Sequence, residues 1–290
     1  TMKIGILKMF VLLSIMAAFF TACDNDDDEY YVVNGDTWVS YGSLEKIEGD
    51  KVGDWAIRRD DGSRLIAVEG LKIEGKDFKE GIRMYVRYSI IESVRDTEGL
   101  EGYMNYYVRL YGYQDVLTKQ LVKQSFIAAN ETHRQDSIGN DPITVVGAWF
   151  GGKYLNVEFA VPVKKNSQEK HFINVVMDDV QSHNDTVYLT LRHNAYKDQP
   201  AAGESVWGQN YVWNAGNVSF DLTSILSDNA TSVPVKLLWK EYKKDSTDVE
   251  QKSDSGLFAI APWTVKSVSN GLNQLPENRK VNDFYDLSCY

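Results

Sequence analysis

Cys23 is the residue whose surroundings most directly indicate a chemical modification. Two lysines, Lys3 and Lys8, lie before an apolar run of twelve residues at positions 9–20. Two small residues, Thr21 and Ala22, then stand directly before the cysteine. Such a run is too short for an ordinary membrane-spanning helix and is typical of the core of a signal peptide. The pattern predicts a lipoprotein signal peptide over residues 1–22, cleavage before Cys23, and acyl chains such as palmitate on its sulfur.

An acidic run follows the cysteine directly. Its charged members are Asp24, Asp26, Asp27, Asp28 and Glu29. The run resembles the surface-export signal of lipoproteins in gut-type Gram-negative bacteria, and like charges also keep a spacer extended. A calcium loop is not indicated, because Glu29 stands where the sharp turn of such a loop needs glycine. We predict a lipidated cysteine and acidic tether over residues 23–35, in the outer membrane and facing the cell exterior; a periplasm-facing lipoprotein is the alternative.

Neighbouring carboxylates are the first candidates for acid–base catalysis. Asp60-Asp61 and Asp178-Asp179 could in principle act as glycosidase acids do, as a pair across a cleft. Neighbours on a strand point to opposite faces, however, and neighbours in a turn are both solvated. We therefore interpret both pairs as turn residues.

The histidines are the candidates for a metal site. There are four, at positions His133, His171, His183 and His193, and the last two flank a predicted turn and could face each other. A metal site needs three or four ligands with supporting groups around them. Phosphate-binding glycine loops and paired-cysteine metal spacings do not occur in the sequence. The sequence thus predicts no catalytic residue, no metal and no cofactor.

Four tyrosines form the candidate binding face. Tyr85, Tyr107, Tyr111 and Tyr113 fall on the side of their strands opposite the apolar residues. Small barrels of the OB type bind oligosaccharides or oligonucleotides on such faces, and aromatic rings stack on the ligand. The alternative is that these rings cover the sheet where it meets a second domain.

The net charge decides between the classes of ligand. The sequence carries 31 basic and 41 acidic residues, and removing Lys3 and Lys8 with the leader leaves 29 basic residues, a net charge of −12. A body of this charge repels phosphate backbones. Nucleic acid is therefore not expected as a partner, and a protein or a glycan is favoured.

The elements that position these residues are predicted to be strands. Short alternating segments separated by turn residues recur along the chain, such as residues 84–90 and 106–111, and Asp60-Asp61-Gly62 between apolar runs is a strong hairpin signal. This pattern predicts an all-β protein, with a small OB-like barrel over residues 36–129. Residues 130–142 are polar without apolar periodicity and are interpreted as a linker.

A second domain is predicted after this linker. Alternating strands resume and are unevenly spaced, which predicts a β-sandwich over residues 143–262. One or two helical turns are possible within residues 220–226. Residues 263–290 have weak periodicity and are expected to form a poorly packed C-terminal tail.

Three short motifs resemble a known family. They are Asp36-Thr37-Trp38-Val39-Ser40, Trp55-Ala56-Ile57 and Asp60-Asp61-Gly62-Ser63, and they follow the cysteine and acidic run. Together they are similar to the NigD-like lipoproteins. That resemblance implies an N-terminal OB-type barrel, a C-terminal β-sandwich and an association with a bacteriocin locus. It implies no catalytic residues.

The functional hypothesis is a non-enzymatic lipoprotein that acts as a binding or interaction module for a protein or glycan. An immunity-type protein associated with a bacteriocin is one alternative, suggested by the family resemblance. A glycan hydrolase is a second, and it would require acids that converge in one cleft. A purely structural envelope component is a third.

Overall fold

The computed structural model describes residues 37–47, 54–71, 78–95, 103–129, 131–180, 185–225 and 232–259. The predicted signal peptide, Cys23, the acidic run from Asp24 to Glu29, His183 and the tail over residues 263–290 lie outside these ranges. In the described parts of the chain, no helix combines the length and apolar character needed to cross a bilayer.

Five strands close into a barrel near the start of the described chain. They are β1 (Trp38–Lys46), β2 (Trp55–Arg59), β3 (Arg64–Ala67), β4 (Arg83–Arg95) and β5 (Met104–Asp115). Their order around the barrel is β1-β2-β3-β5-β4, and only the β3–β5 pair is parallel. The five strands confirm the predicted small barrel.

Alternate residues of these strands fill the barrel, as period-two alternation requires. The buried core consists of Leu44, Ile57, Leu65, Met84, Val86, Tyr88 and Val108. Gly62 supports the predicted β2–β3 hairpin with a φ of 87°, a backbone conformation that glycine adopts without steric cost. The side chain of Asp61 accepts a hydrogen bond from the Ser63 amide at 2.9 Å within the same turn.

Two further sheets form the predicted sandwich. Their strands are β6 (Leu117–Gln120), β7 (Val122–Lys123), β8 (Thr144–Gly151), β9 (Tyr154–Lys164), β10 (Phe172–Met177), β11 (Val187–Asn194), β12 (Tyr211–Asp221), β13 (Val233–Tyr242) and β14 (Val249–Phe258). One sheet has the order β14-β13-β11-β10-β7 and the other β6-β12-β9-β8. The all-β fold class is thereby confirmed.

The sandwich core lies between these two sheets. Its largest members include Phe150, Leu155, Phe159, Phe220, Leu237 and Phe258. The four-stranded sheet contributes Leu155 and Phe220, which pair directly across β9 and β12. Removing such large apolar side chains from water stabilises the fold by about 25 cal/mol per Å² of apolar surface buried.

Strand pairing places the end of the barrel earlier than the sequence predicted. The barrel strands end at Asp115, and β6 and β7 belong to the sandwich, because β6 pairs in parallel with β12 and β7 pairs in parallel with β10. The predicted boundary after residue 129 is therefore corrected to Asp115. These two strands are short and mostly exposed, so they carry no alternating pattern that sequence reasoning could detect.

The predicted linker contains a helix. Helix α1 (Gln124–Ala128) is followed by α2 (Glu131–Ile138), which occupies most of residues 130–142. Helix α2 has no apolar face to reveal it in the sequence. It is held instead by polar contacts at its end, where the side-chain amide of Asn194 donates to the carbonyl oxygens of Asp136 and Ser137 at 2.6 and 3.0 Å.

The range predicted to hold one or two helical turns is described as far as residue 225, and up to there it contains one short turn. Strand β12 continues to Asp221, and a 3₁₀ turn follows at Thr223–Ile225. A second 3₁₀ turn lies at Tyr196–Asp198, directly after β11.

Candidate functional site

Aromatic rings join the barrel to the sandwich. Tyr41 of β1 and Tyr85 of β4 lie on the outside of the barrel, with ring centroids 4.7 Å apart. Trp149 of β8 packs edge-on against Tyr41 at 5.1 Å. Val39 and Val116 complete this buried cluster. The two β structures therefore share an apolar interface.

A buried guanidinium lies beside this cluster. Arg83 of β4 is 2% exposed and makes a bidentate ion pair with Asp60, through Nη1–Oδ1 and Nη2–Oδ2 contacts of 2.6 and 2.5 Å. It also donates to two sandwich residues, from Nη2 to Asn156 Oδ1 at 2.7 Å and from Nε to Ser219 Oγ at 3.1 Å. The Tyr154 ring lies 4.5 Å from the guanidinium carbon. We call these residues the Arg83 network.

The burial of Asp60 corrects the interpretation of Asp60-Asp61 as solvated turn residues. Asp60 is 5% exposed, whereas Asp61 is exposed as predicted. Gly151 explains how the carboxylate fits, because Asp60 occupies the space that a side chain at this position would take. Asn156 Nδ2 donates to Asp60 Oδ2 at 3.0 Å, so the carboxylate has partners in both the barrel and the sandwich.

A second polar contact ties the same two structures together. The Tyr41 hydroxyl donates to Glu158 Oε1 at 3.1 Å and accepts from Asn217 Nδ2 at 3.2 Å. Burial, followed by the nearby Glu158 carboxylate, raises the pKa of Tyr41 well above its ordinary value. The hydroxyl therefore stays protonated and acts as a structural donor at neutral pH.

The predicted tyrosine face is divided by this interface. Tyr85 is 7% exposed and lies in the junction with the sandwich, as the alternative interpretation of the tyrosines required. Tyr107 and Tyr111 are half-buried on β5, and Tyr111 forms a hydroxyl–hydroxyl hydrogen bond of 2.9 Å with Ser89. The four tyrosines therefore do not lie on one open surface.

A β-bulge turns Tyr113 away from the other tyrosines. Arg87 faces Gly112 while the next residue, Tyr88, faces Leu110, which leaves Tyr111 as the additional residue. Beyond this bulge Tyr113 pairs with Val86, whose side chain lies in the barrel core. Paired residues point to the same side of a sheet, so Tyr113 lies on the side of Val86 and not on the side of Tyr107. A bulge of this kind has no clear signal in the sequence.

One part of β4 extends past its neighbour in the barrel. Trp38 is the first residue of β1 and pairs with Tyr88, whereas β5 continues to pair with β4 as far as Arg95. Within the described residues, positions 89–95 of β4 therefore have a paired strand on one side only. We call this segment the β4 edge. It exposes three large apolar side chains, Ile90 at 39%, Ile91 at 54% and Val94 at 44%.

Two predicted histidines meet inside the sandwich. His171 Nδ1 lies 2.9 Å from His193 Nε2, and His171 Nε2 lies 3.1 Å from Asp198 Oδ2. At the far end, His193 Nδ1 lies 2.9 Å from the carbonyl oxygen of Pro142. His193 and Asp198 are 1% and 3% exposed. We call this row of groups the histidine relay. It arises because β10 and β11 pair, which brings the two histidines together across 22 positions of sequence.

The hydrogen-bond pattern assigns protons along the relay. Nδ1 of His193 carries a hydrogen, because a carbonyl oxygen can only accept. Burial lowers the pKa of His193 to about 4, so this ring is neutral at neutral pH and its Nε2 accepts from Nδ1 of His171. The other ring nitrogen of His171, Nε2, faces Asp198 Oδ2 at 3.1 Å. Ser167 Oγ donates to the other oxygen of Asp198 at 2.7 Å.

The remaining predicted site residues lie apart. Helix α2 carries His133 on its exposed surface, and Asp179 is an exposed residue that accepts hydrogen bonds from Ser125. Among the described residues, no three histidine, cysteine, aspartate or glutamate side chains converge in a way that could hold a metal ion.

Residues 125–253 match the family model of the NigD-like C-terminal β-sandwich domain. The second domain is a NigD-like sandwich. Its matched region contains the histidine relay and Asn156 and Ser219 of the Arg83 network. It begins inside α1, so it leaves out β6 and β7, although these two strands complete the sheets of the NigD-like sandwich.

Solved structures share the fold over most of this chain. A protein of unknown function from Bacteroides vulgatus ATCC 8482 has a TM-score of 0.54 and 23% identity, covering 81% of this chain and 95% of that one. A protein described as toxin-related, from Parabacteroides distasonis ATCC 8503, has a TM-score of 0.53 and 23% identity, covering 78% and 96%.

A third solved structure bears the family name. It is a NigD-like immunity protein from Bacteroides caccae ATCC 43185, with a TM-score of 0.46 and 20% identity over 77% of this chain and 94% of that one. No curated protein matches the sequence. The resemblance to the NigD-like family is confirmed by the sandwich match together with the N-terminal barrel.

Proposed function

We propose that this chain is a lipid-anchored, non-catalytic binding module that holds a protein partner at the β4 edge. The supporting observation is that, among the described residues, one side of this segment has no paired strand, while Ile90, Ile91 and Val94 are exposed. An extended peptide can add to such an edge through main-chain hydrogen bonds, while its alternate side chains contact apolar neighbours. Proteins usually protect an edge of this kind with charges or cover it.

A comparison within the molecule shows why the β4 edge is favoured. Strand β14 is also an edge, at one side of the five-stranded sheet. Its central residues, Glu250 to Asp254, are polar or charged, and its exposed apolar residues Val249 and Leu257 lie near its two ends. Charges of that kind discourage pairing with another chain. The β4 edge also carries charges, at Glu92 and Arg95, but it differs from β14 in having two adjacent exposed apolar residues, Ile90 and Ile91.

The net negative charge of the chain favours a partner with a basic surface. The chain without its leader has a net charge of −12, which attracts a basic protein surface and repels nucleic acid. Immunity to a toxin is one form of protein binding, and it is the form that the NigD-like family name suggests. In that case the partner would be a toxin with a basic surface.

The location of the protein in the cell is part of the same proposal. The lipobox pattern at Cys23 supports a lipid anchor, and the acidic residues Asp24 to Glu29 support export to the outer face of the outer membrane. Anchoring by acyl chains needs no basic surface, which agrees with the acidic body. Display at the cell exterior would place the β4 edge where a secreted protein can reach it.

Crosslinking tests this proposal on intact cells. A photoreactive amino acid at position 91 would be compared with the same residue at position 212, because Val212 is an apolar sandwich residue of similar exposure, 42%. We expect position 91, and not position 212, to form a covalent product with a second protein. Purified wild-type chain should compete for that product, and the Ile91→Lys/Val94→Lys chain should not.

Two results would contradict the proposal. One is crosslinking of position 91 only to the chain's own residues, such as those that precede Thr37. The other is a product that the wild-type and doubly substituted chains compete for equally well.

A further inference from the structure

A cleft lies in the NigD-like sandwich, away from the barrel and its β4 edge. It has a volume of about 410 Å³ and is formed where the end of α2 meets the 3₁₀ turn after β11. Its lining residues are Gln135, Asp136, Gly139, Asn140, Asn194, Tyr196 and Gln199. We call it the α2 cleft. The cleft is open to solvent and its lining is mainly polar.

The walls of the α2 cleft are held in place by buried groups. Asn194 is 3% exposed, and its side chain joins the end of α2 to β11. The carboxylate of Asp141 accepts from the Ala195 amide at 2.8 Å. Gly139 has a φ of 69° and packs against the carbonyl of His193, so a side chain there would meet the backbone of β11. The cleft is thus fixed beside the end of β11, the strand that carries His193.

Several polar groups of the lining remain available to a ligand. Gln135 accepts from Arg192 through Oε1, which leaves its Nε2 hydrogens. Gln199 donates through Nε2 to Asp141, which leaves its Oε1. The side chains of Asp136 and Asn140 have no hydrogen-bond partner among the described residues. The lining therefore offers both donors and acceptors, mostly on planar amide groups.

An aromatic ring stands beside these groups in a strained conformation. Tyr196 has a φ of 47°, which is rare for a bulky side chain. Its ring is 37% exposed and meets Phe172 edge-on at 5.6 Å. The Tyr196 amide donates to Asn194 Oδ1 at 3.0 Å, which helps to hold the strained turn. Strain of this kind commonly marks a functional position.

The lining of the cleft is mainly uncharged. Asp136 is its one charged residue. Arg192 contacts Gln135 and Asp141 contacts Gln199, so one guanidinium and one further carboxylate lie behind lining side chains. Uncharged polar groups therefore make up most of the surface that a ligand would meet, which suits a neutral ligand.

We propose that the α2 cleft binds a neutral saccharide of one or two sugar units. A sugar hydroxyl both donates and accepts, which matches the paired amide donors and acceptors of Gln135, Asn140 and Gln199. The apolar face of a sugar ring can stack on an exposed aromatic ring, which Tyr196 supplies. This site is separate from the β4 edge, and saccharide binding here does not depend on protein binding there.

Saturation-transfer NMR would test the site, because it detects weak saccharide binding. The purified full-length protein in detergent would be mixed in turn with glucose, galactose, mannose, N-acetylglucosamine, maltose, cellobiose and lactose. We expect transfer to at least one of these sugars. Asn140→Ala, Gln199→Ala and Tyr196→Ala should each reduce that transfer several-fold.

Tyr113→Ala provides the matched control. Tyr113 is a barrel tyrosine with an exposure of 42%, similar to that of Tyr196, and its substitution should leave the transfer unchanged. Gln199→Ala and Asn140→Ala keep the test meaningful if Tyr196→Ala disturbs the turn. Absence of transfer to every sugar would overturn the proposal, as would transfer that the Asn140→Ala and Gln199→Ala proteins retain in full. Glucuronate would be added to the series as a charged sugar. Stronger transfer to glucuronate than to glucose would overturn the preference for a neutral ligand.

Discussion

The guanidinium of Arg83, in a barrel strand, donates from Nη2 to the side-chain oxygen of Asn156, in a sandwich strand, at 2.7 Å. Ser219 Oγ donates to the same oxygen of Asn156 at 2.6 Å. Asn156 and Ser219 are fully buried, so the ion pair of Arg83 with Asp60 is removed from water by the sandwich. The barrel and the sandwich are therefore joined by buried polar groups. If the two domains separated, Arg83 and Asp60 of the barrel and Asn156 and Ser219 of the sandwich would lose hydrogen-bond partners.

Arg83→Met should strongly destabilise the protein. The substitution leaves the Asp60 carboxylate buried without its cation, and breaking a buried ion pair costs about 3–5 kcal/mol. Arg109→Met is the control, because Arg109 is largely exposed and lies 3.8 Å from the exposed Glu69; an exposed pair contributes about 0–1 kcal/mol. Urea unfolding of both proteins would measure the difference. Equal midpoints would show that the Arg83 network does not stabilise the junction.

Tyr85→Ala should show whether Tyr85 belongs to an open binding face or to the junction with the sandwich. Tyr85 is buried against Tyr41, so loss of its ring should lower the free energy of unfolding by about 3 kcal/mol or more. Tyr113→Ala removes an exposed ring and should cost about 1 kcal/mol or less. Thermal melts would compare the two proteins. A large loss for Tyr113→Ala, or none for Tyr85→Ala, would contradict this placement.

His193 should make stability depend on mildly acidic pH. Histidine in the unfolded chain titrates near 6.5, whereas burial lowers the pKa of His193 to about 4 in the folded protein. Between these values the unfolded chain binds more protons, so the free energy of unfolding falls as the pH is lowered, by at most about 3 kcal/mol from this group. Protonation would also bring two N–H groups of His171 and His193 face to face.

Urea unfolding between pH 7 and pH 4 would measure this dependence. His193→Gln should be less stable than the wild type at pH 7 but lose less stability on acidification. His133→Gln, on the exposed surface of α2, should keep the wild-type slope. Parallel pH profiles for the wild type and His193→Gln would rule out a contribution of His193.

Residues 117–123 should be needed for a stable NigD-like sandwich. A fragment of residues 125–259, which starts where the family model starts, lacks β6 and β7 and exposes one side of β12 and of β10. A fragment of residues 116–259 keeps both pairings. We expect the longer fragment to melt at a higher temperature and to aggregate less, because exposed strand edges promote association. Indistinguishable melts would show that β6 and β7 are dispensable.

Cys23→Ala should release the protein from the membrane fraction. Acyl chains contribute about 0.8 kcal/mol per buried CH₂, and two or more chains anchor a protein stably. Cys289→Ala, at the other cysteine, should leave fractionation unchanged. Immunoblots of salt-washed membranes would test both. Retention of the Cys23→Ala protein after the wash would remove the lipoprotein interpretation.

Much of the fold could be predicted because alternation is a local signal. In Val187–Asn194 and Val233–Tyr242, buried residues such as Leu189 and Leu191 alternate with less buried ones, and the Asp-Gly turn after β2 was recognisable from its residue types. Segments without alternation were missed. Strands β6 and β7 exist because distant strands pair with them, and α2 exists because Asn194 binds its end.

The polar sites could not be predicted for a related reason. Asp60 is a turn residue in the sequence, and only the approach of Gly151 and Asn156 from another domain buries it. His171 and His193 meet through strand register, which a single sequence does not specify. The groups that combine in the Arg83 network and the α2 cleft come from segments far apart in the chain.

If Cys23 anchors the chain as proposed, the parallel pairing of β6 with β12 would have a mechanical consequence. A pull on a ligand held by the sandwich would be transmitted to the membrane through β6, since this strand is the first connection after the barrel. Residues 117–120 pair with residues 218–221. Force along β6 would load these hydrogen bonds together in shear, whereas a peeling force would break them one at a time. Together with the Arg83 network, this geometry would let the junction resist tension between the cell surface and a bound ligand.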